Sequence, residues 1–458
     1  MDFTTSPRSA DYAERLSTFI ADRVIPAEAE YADARNAAPD RQPKVMEQLK
    51  DEARSEGLWN LCVRHPDYGP GLSFVDYAPL AEMMGPHPLA QEATNCDPPS
   101  NINGDAMIIY GSPAQKERWL EPQLDGQIKS AFAMTEPAVA SSDASNIATT
   151  ATLHGDEADG RWVLNGRKWY ISGVLHPQCA YLMTVANTDP ASASSPSSTH
   201  GRHSQFIVPI DAGGLKIVRN LPKFGYVDPD GHVEIELDDV TVPAENLLGQ
   251  VGGGFAIGQA RLGPARVQHC MRMIGIAEEA LRLMCERAPT RTTFGAAVST
   301  RANVMDWIAE ARIDIESARL MTLRTAWLMD TEGDKASAPH MSQIKVQVMR
   351  TATTVIDRAI QVFGAAGVSD DTPLARWYAS LRSLRIADGP DEVHLMAVAR
   401  RELRRSDNRT QLRRSDNRTE LRRSDNRTQL RRSEAEAGLD QGPIDEPTEA
   451  EVVITDDR

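Results

Sequence analysis

The chain is poor in cysteine and in aromatic residues, and it contains no long apolar run. Its five cysteines are scattered over 458 residues without a CxxC pair, and no histidine stands at zinc-finger spacing. The sequence therefore predicts neither a disulfide framework nor a bound metal. No apolar run approaches the roughly 20 residues that cross a bilayer, so we expect no membrane span. The first residues combine no basic segment with an apolar one, which predicts a cytoplasmic protein.

Basic residues are outnumbered as well. There are 50 Lys and Arg against 65 Asp and Glu, for a net charge of −15. Because a broadly acidic surface repels phosphate backbones, we expect no nucleic-acid partner. A chain of this length with 41% hydrophobic residues can form several domains with sizeable cores.

The C-terminal residues carry charge in two opposite blocks. Residues 404–432 hold 11 Arg and 4 acidic residues, whereas residues 433–458 hold 9 acidic residues and one Arg. The unit LRRSDNRT, followed by Gln or Glu, occurs three times between Leu403 and Gln429. One Leu in nine residues is too little for a core, so we predict a disordered tail over 404–458. A tandem duplication without function and an Arg-rich arm for an anionic partner both explain the repeat.

Ahead of this tail, the spacing of apolar residues changes twice. Helical spacing prevails over 1–130, strand-like segments over 131–245, and long amphipathic helices over 246–403. Within the middle zone, two apolar segments flank Asn165-Gly166, which is a strong hairpin signal. We therefore predict an α+β protein with an N-terminal helical domain, a central β domain and a C-terminal helical bundle at these boundaries.

Four segments could carry chemistry, and three of them suit a nucleotide cofactor. A loop rich in hydroxyls can hold a flat heterocycle, an Arg fork suits a pyrophosphate, and paired glycines let a ligand approach the backbone. An ordinary turn, a connecting loop and a helix C-cap explain the same residues. These three segments are Phe132–Pro137 with Ser141–Ala144, Arg291–Gly295, and Gln361–Gly367.

The fourth segment, Ile386–His394, contains Asp388 and Gly389 before Pro390. Proline just inside a helix start, with acidic residues in the first turn, is typical of helix initiation, and Asp388 would then be a cap or turn residue. A general base held on a rigid loop before the helix is the functional interpretation of the same residue. The residues alone leave both interpretations open.

Taken in order, five segments resemble the acyl-CoA dehydrogenase family over about residues 10–403. They are FAMTEPAVASSDASNI, GRKWYISG, GPARVQHCMRMIGIAEEAL, RTTFG and QVFGAAGVSDDTPLARWYASLRSLRIADGPDEVH. The ending DGPDEVH resembles a subgroup found in bacteria and in animal members fused to kinase-like domains. The resemblance implies an α-helical domain, a β-barrel-like domain and a C-terminal four-helix bundle.

The resemblance also implies bound FAD and an assembly, a homotetramer or homodimer, in which two subunits share each FAD site. The residues it places along the flavin are Met134, Thr135, Ser142, Tyr170 and Ser172. Those it places at the FAD tail are Arg291, Thr293, Phe294, Gln361, Gly364 and Ala365. Near the CoA moiety it places Arg266 and Arg400.

The family's catalytic Glu, in an E-G-T motif, corresponds here to Asp388. A second branch carries its base on the helix that reads Arg261–Arg266 in this chain, and no carboxylate stands there. The resemblance thus implies α,β-dehydrogenation of an acyl-CoA by Asp388, with electrons passed to an electron-transfer flavoprotein. We expect burial beside the acyl chain and flavin to raise the pKa of Asp388.

Two other functions remain compatible with the sequence. The same fold hosts oxygen-using flavoenzymes, namely acyl-CoA oxidases and flavin monooxygenases. Alternatively, the protein is a flavin-free scaffold whose Arg-rich tail recruits acidic partners.

Overall fold

The computed structural model of the protein describes residues 3–156, 159–189 and 201–406. The chain divides into two units, Met1–Val398 and Ala399–Arg458. In the second unit, residues 399–406 are helical, so residues 404–406 of the predicted tail belong to a helix. The remainder of the predicted disordered tail, with most of its repeat, lies outside the described residues.

Helices dominate the first part of the chain. α1 begins where the Ser6 hydroxyl accepts a hydrogen bond from the Ser9 N–H at 3.2 Å, and π-helical turns continue the helical path at Ile20–Val24 and Lys116–Leu120. The helices are α1 Pro7–Phe19, α2 Ile25–Ala37, α3 Lys44–Ser55, α4 Phe74–Met84, α5 Pro88–Ala93, α6 Ser100–Tyr110, α7 Pro113–Gln115 and α8 Glu121–Leu124.

A mixed sheet occupies the middle of the chain. Its strands run in the order β6-β7-β3-β2-β4-β5-β8, and β1 pairs in parallel with β4. A separate hydrophobic core, which includes Trp162, Phe206 and Ile235, fills the sheet domain. The strands are β1 Lys129–Ala133, β2 Thr150–His154, β3 Arg161–Ser172, β4 Cys179–Asn187, β5 His203–Pro209, β6 Leu215–Asn220, β7 His232–Pro243 and β8 Leu247–Leu248.

The predicted hairpin at Asn165-Gly166 is wrong, because both residues lie inside the continuous strand β3. The pairing of β3 with β7 shifts register between Leu164 and Gly166, which marks a β-bulge. The Asn165 side chain joins the bulge to Asp239 by two hydrogen bonds of 2.8 and 2.9 Å. A Cβ at Gly166 would lie 2.4 Å from Thr149 Oγ1, so glycine permits this close approach. Pairing on both edges of β3 outweighs the local turn preference.

The C-terminal part of the first unit is a bundle of long helices. These are α9 Gly254–Thr290, α10 Ala302–Glu332, α11 Asp334–Phe363 and α12 Leu374–Leu384, with a short hairpin, β9 Thr292–Thr293 and β10 Ala296–Ala297, after α9. A terminal helix begins at residue 391. The predicted α+β class, with helices on either side of a central sheet in sequence, is confirmed.

One hydrophobic core joins the N-terminal helices to the bundle. α4 packs directly on the backbone of α9, since a Cβ at Gly275 would lie 1.9 Å from the Glu82 carbonyl oxygen and one at Gly85 would lie 2.1 Å from that of Arg272. This contact holds α9 in place along the helical core. None of the helices in the described residues is both long and apolar enough to cross a membrane.

Candidate active site

The loop that carries Asp388 connects α12 to the terminal helix, and cationic side chains hold its main chain. Lys345 on α11 donates hydrogen bonds from Nζ to the carbonyls of Leu384 and Ala387, the latter at 3.0 Å. Arg266 on α9 donates from Nε to the Asp388 carbonyl at 3.0 Å. The position of Asp388 is therefore fixed by two helices of the bundle through backbone groups.

Asp391 closes the same loop from its other end. Its N–H donates to the Arg385 carbonyl at 3.1 Å, and its buried carboxylate accepts hydrogen bonds from Arg385 at 2.8 and 3.0 Å and from Arg350 at 3.1 Å. His394, one turn into the terminal helix, donates from Nε2 to the Asp388 carbonyl at 3.2 Å. The loop is thus closed by charge-assisted hydrogen bonds.

The side chain of Asp388 does not cap the terminal helix but turns toward α9. Its φ of +55° is a left-handed conformation, and Gly389 follows with a φ of +98°. The carboxylate is 23% exposed, and Oδ2 lies 3.4 Å from Nε2 of His269. The side chain therefore faces the protein rather than bulk solvent.

The pKa of Asp388 moves in the direction opposite to the prediction. Burial does push it upward, but His269, Lys345 and Arg261 outweigh burial and hold the pKa below its usual value. The expectation of a raised pKa overlooked the cations Lys345, Arg261 and Arg266 and the nearby His269. The protein by itself keeps Asp388 ionised, as a proton-abstracting group must be.

A second carboxylate, Asp105 on α6, shares one of these neighbours. Burial raises the pKa of Asp105 to about 7, although Arg64 and Arg261 act to lower it. Arg261 is itself buried, donates from Nε to Asn103 at 2.6 Å, and has a pKa lowered by burial to about 10. The pKa values of Asp105 and Asp388, two carboxylates near Arg261, are therefore shifted in opposite directions.

The loop after β1 is built around a buried ion pair. Lys168 and Glu136, both 3% exposed or less, meet at 2.8 Å. Glu136 also accepts hydrogen bonds from the N–H groups of Ala148 and Thr149, and Lys168 donates to the Met134 carbonyl. This pair fixes both ends of the loop that contains Ser142.

Four of the residues assigned to the flavin lie where β1 and β3 end. The Trp169 N–H donates to the Thr135 carbonyl at 2.9 Å, which brings Met134 and Thr135 beside Tyr170. Ser172 Oγ lies 2.8 Å from Nδ1 of His232 and is hydrogen-bonded to it. Tyr170 is 46% exposed. Its ring is therefore available to a ligand.

A small cleft opens between this end of the sheet and α9. Met134 and Ile147 line it from the sheet side, and Phe255 and Leu262 line it from α9. Ser142 is exposed in the loop and does not line this cleft. Arg266, one turn beyond Leu262 on α9, contacts the Asp388 loop.

The six residues assigned to the FAD tail all lie at one end of the bundle, and all are at the surface. The hairpin after α9 presents Phe294, which is 101% exposed with a φ of +49°. Gly364 has a φ of +65°, and a Cβ there would meet nothing within 4 Å. Arg287 stacks 5.3 Å from the Phe363 ring centroid and so joins the two segments. The exposed residues are Arg291, Thr293, Phe294, Gln361, Gly364 and Ala365.

Backbone strain marks the same places. Seven non-glycine residues of the described chain have positive φ, and three of them are Tyr170, Phe294 and Asp388. Left-handed conformations of such residues are costly and concentrate at functional sites.

The two residues assigned to CoA differ: Arg266 contacts the Asp388 loop, whereas Arg400 is exposed in the second unit. The role of Arg400 stays a prediction.

Sequence reasoning missed the charged residues that support the site. Lys345 lies between Ile344 and Val346 on the buried face of α11, and a lone lysine in such a face was the available signal. His269 is a half-buried residue of α9 next to the buried Cys270, and Glu136 and Lys168 each fall inside a recognised motif. Their partners are distant in sequence, so their pairing was not visible.

Comparison with known proteins identifies the family. Sequence models described as the N-terminal, middle and C-terminal domains of acyl-CoA dehydrogenase match residues 6–127, 131–240 and 252–403. These matches cover most of the chain, in the order of the three structural parts. The chain belongs to the acyl-CoA dehydrogenase family.

Individual relatives agree with this assignment. A Mycobacterium tuberculosis protein named as a probable acyl-CoA dehydrogenase, FadE2, is 48% identical over 409 residues, which cover 88% of this chain and 98% of that protein. Human acyl-CoA dehydrogenase family member 11 is 44% identical, and the match covers 88% of this chain but only 51% of the human protein. A solved Mycobacterium abscessus structure, described as an acyl-CoA dehydrogenase, superposes with a TM-score of 0.83 at 43% identity, covering 88% of this chain and all of that one.

Proposed function

We propose that this protein is an FAD-dependent dehydrogenase that converts an acyl-CoA thioester to the 2-enoyl-CoA, with Asp388 as the base. The observation that carries the proposal is the carboxylate of Asp388, which faces α9 on a loop held by Lys345 and Arg266. The carboxylate contacts His269 on α9, and two other residues of α9, Phe255 and Leu262, line the small cleft beside Met134. Arg266 and Arg400 are the candidates for CoA contacts.

Asp388 would take the proton from the carbon next to the thioester carbonyl. The C–H bond breaks, the proton passes to the carboxylate, and the electron pair moves toward the thioester oxygen. A carboxylate of low pKa is a weak base, so the developing negative charge needs stabilisation. Among the described residues none accepts a hydrogen bond from the Asp388 N–H, which leaves that donor for the thioester oxygen. Lys345 and Arg261 add positive potential nearby.

FAD, when bound, accepts the hydride that leaves the β-carbon, and an electron-transfer flavoprotein would take the electrons onward. The residues at the end of β1 and β3 fit such a group. The ion pair of Lys168 and Glu136 holds the polar loop rigid, and Tyr170 presents an exposed ring. The open backbone at Gly364 and the Arg291 guanidinium suit the pyrophosphate part.

We further infer that the FAD site is completed by a second copy of the chain, in a homodimer or homotetramer. Phe294 is fully exposed on a strained hairpin, which is unfavourable for an isolated chain. Gln361, Gly364 and Ala365 offer a second exposed surface at the same end of the bundle. Burial against a partner and a shared ligand would explain both exposures.

Anaerobic titration with a panel of acyl-CoAs tests the proposal. We expect a yellow protein whose flavin absorbance is bleached by at least one acyl-CoA, and an Asp388→Asn variant that keeps the flavin but is not bleached. A colourless protein would favour the scaffold. Stoichiometric peroxide in air, with little reduction of an artificial acceptor, would favour an oxygen-using enzyme. Normal turnover by Asp388→Asn would remove Asp388 from the mechanism.

A further inference from the structure

His269 on α9 lies between Asp388 and a buried arginine. Its Nε2 is 3.4 Å from Oδ2 of Asp388, a close contact without hydrogen-bond geometry, and its Nδ1 is hydrogen-bonded to Nη2 of Arg272 at 3.3 Å. Arg272 is 1% exposed and lies one turn further along the same helix. A histidine with one neighbour at each ring nitrogen has its tautomer determined by those neighbours.

The chemistry of arginine decides which nitrogen carries the proton. Guanidinium groups donate hydrogen bonds and have no acceptor, so Nδ1 of His269 must be the acceptor in its contact with Arg272. A neutral imidazole then bears its proton on Nε2, the atom that faces Asp388. A carboxylate only accepts hydrogen bonds, so this tautomer matches Asp388 and the other one would not.

We propose that His269 is a positioning residue for Asp388: Arg272 fixes the imidazole as the Nε2–H tautomer, and this N–H orients the carboxylate toward the substrate. The inference rests on the proposed function, since it presumes that Asp388 is the base. The 3.4 Å contact would shorten when substrate fills the cleft, as hydrogen bonds of catalytic groups commonly do.

Burial and the surrounding positive charge keep His269 a neutral imidazole and not a cation. Burial and Arg272 lower the pKa of His269 to about 3, so it is neutral at any pH used in an assay. The titratable and charged groups that face the pair are Arg261, Arg266 and Arg272 on α9, Lys345 on α11, and His394 and Asp391 on the terminal helix. Of these, His394 has a pKa lowered by burial to about 4.

Two substitutions of His269 distinguish a role as hydrogen-bond donor to Asp388 from a role that only fills space. His269→Leu removes the donor, and we expect the rate constant of anaerobic flavin reduction to fall on the order of tenfold with little change in acyl-CoA affinity. The Asp388 pKa should rise without its donor, so an acidic limb should enter the rate profile at higher pH than in the wild type. His269→Gln keeps an N–H near Nε2 and should restore most of the rate. His154→Gln, on the exposed end of β2, is the matched control.

A measurement on the protein without substrate tests the tautomer itself. With selective ¹⁵N labelling of the ten histidines, the His269 signals, assigned by their loss in His269→Gln, should report an unprotonated Nδ1 and a protonated Nε2. Arg272→Met should remove this preference. A protonated Nδ1 in the wild type would overturn the inference, and this result does not depend on whether the Arg272 variant folds.

The outcomes also separate this inference from the proposed function. Normal bleaching in Asp388→Asn contradicts both. An inactive Asp388→Asn together with a His269→Leu variant of wild-type rate and pH profile contradicts only the role of His269. Equal losses in His269→Leu and His269→Gln would also overturn it, because the restored N–H would then have no effect.

Discussion

Two carboxylates in the first unit are surrounded by positive charge, yet they are bound in different ways. Glu136 has each acceptor position near a donor: Lys168 at 2.8 Å and the N–H groups of Ala148 and Thr149 at 2.7 and 2.9 Å. Within the described part of the chain, the polar contact of the Asp388 carboxylate is the one with His269 at 3.4 Å, while Arg266 and Lys345 bind the loop carbonyls. The pKa of each lies below its usual value despite burial.

The difference separates a carboxylate that supports the fold, Glu136, from the carboxylate proposed as the base, Asp388. A carboxylate with all its donors in place is stabilised but cannot move toward a substrate. A carboxylate held ionised by a surrounding field, with its oxygens uncommitted, remains available for proton transfer. The same exchange of carboxylate for amide should therefore have opposite consequences at the two positions.

Replacing the carboxylate of Asp388 by an amide should abolish the proposed proton abstraction, and the protein should still fold. For Asp388→Asn we expect flavin reduction by acyl-CoA to slow by about 10²–10⁴-fold, because the general base is lost. Stopped-flow reduction measures this, with retained flavin absorbance as the control for folding. An equal loss of flavin and activity would instead mean that Asp388 supports the structure.

Replacing the carboxylate of Glu136 by an amide should lower the free energy of unfolding. Glu136→Gln leaves Lys168 buried without its counter-charge, at a cost of about 3–5 kcal/mol in the free energy of unfolding. Urea unfolding measures the loss, and the double variant Glu136→Gln/Lys168→Met should recover part of it because it leaves no unpaired charge. If the double variant is no more stable than the single one, the ion pair is not the cause.

Asp105 extends the comparison to a carboxylate that burial makes neutral. With its pKa raised to about 7, the folded state holds a proton that the unfolded state releases near pH 4. The stability that Asp105 contributes is thus complete below pH 4 and lost as the pH rises through 7. Asp105→Asn should raise the thermal midpoint at pH 8, and the gain should shrink toward pH 4. A gain independent of pH would contradict this.

The smallest effect concerns Gly389, the glycine that follows the proposed base. Gly389→Ala places a Cβ 2.8 Å from His394 Nε2 at a φ of +98°, which should cost about 1–3 kcal/mol. Gly295→Ala is the matched control, since its φ is +75° with nothing within 4 Å of the Cβ, and it should cost about 1 kcal/mol. Thermal unfolding compares the two. Equal losses of stability in the two variants would mean that the His394 side chain moves away from the new Cβ without an energetic cost.

The sequence predicted what depends on periodicity and order. The change of apolar spacing gave the succession of helices, sheet and bundle, and the ordered segments gave the family. It did not predict β2, whose residues Thr150–His154 alternate only weakly, or the strand through Asn165-Gly166. In both cases, pairing with strands distant in the chain decides the conformation, and the local sequence preference does not predict that pairing.

The candidate site was predictable at the level of motifs but not of electrostatics. Asp388 was recognised, whereas the sign of its pKa shift depends on His269, Lys345 and Arg261, which lie between 43 and 127 residues away in the chain. Such encounters arise from how α9 and α11 cross. The way these two helices cross cannot be predicted from the composition or from the spacing of residues.

The loop carbonyls at Leu384, Ala387 and Asp388 are bound by Lys345, Arg266 and His394, none of which depends on the carboxylate itself. These contacts are made to the backbone of the loop and are therefore independent of the acidic side chain at position 388. Evolution could exchange one acidic residue for another at this position and keep them. Such an exchange would change the reach of the proposed base by one methylene, and with it the shape of the substrates that the base could serve.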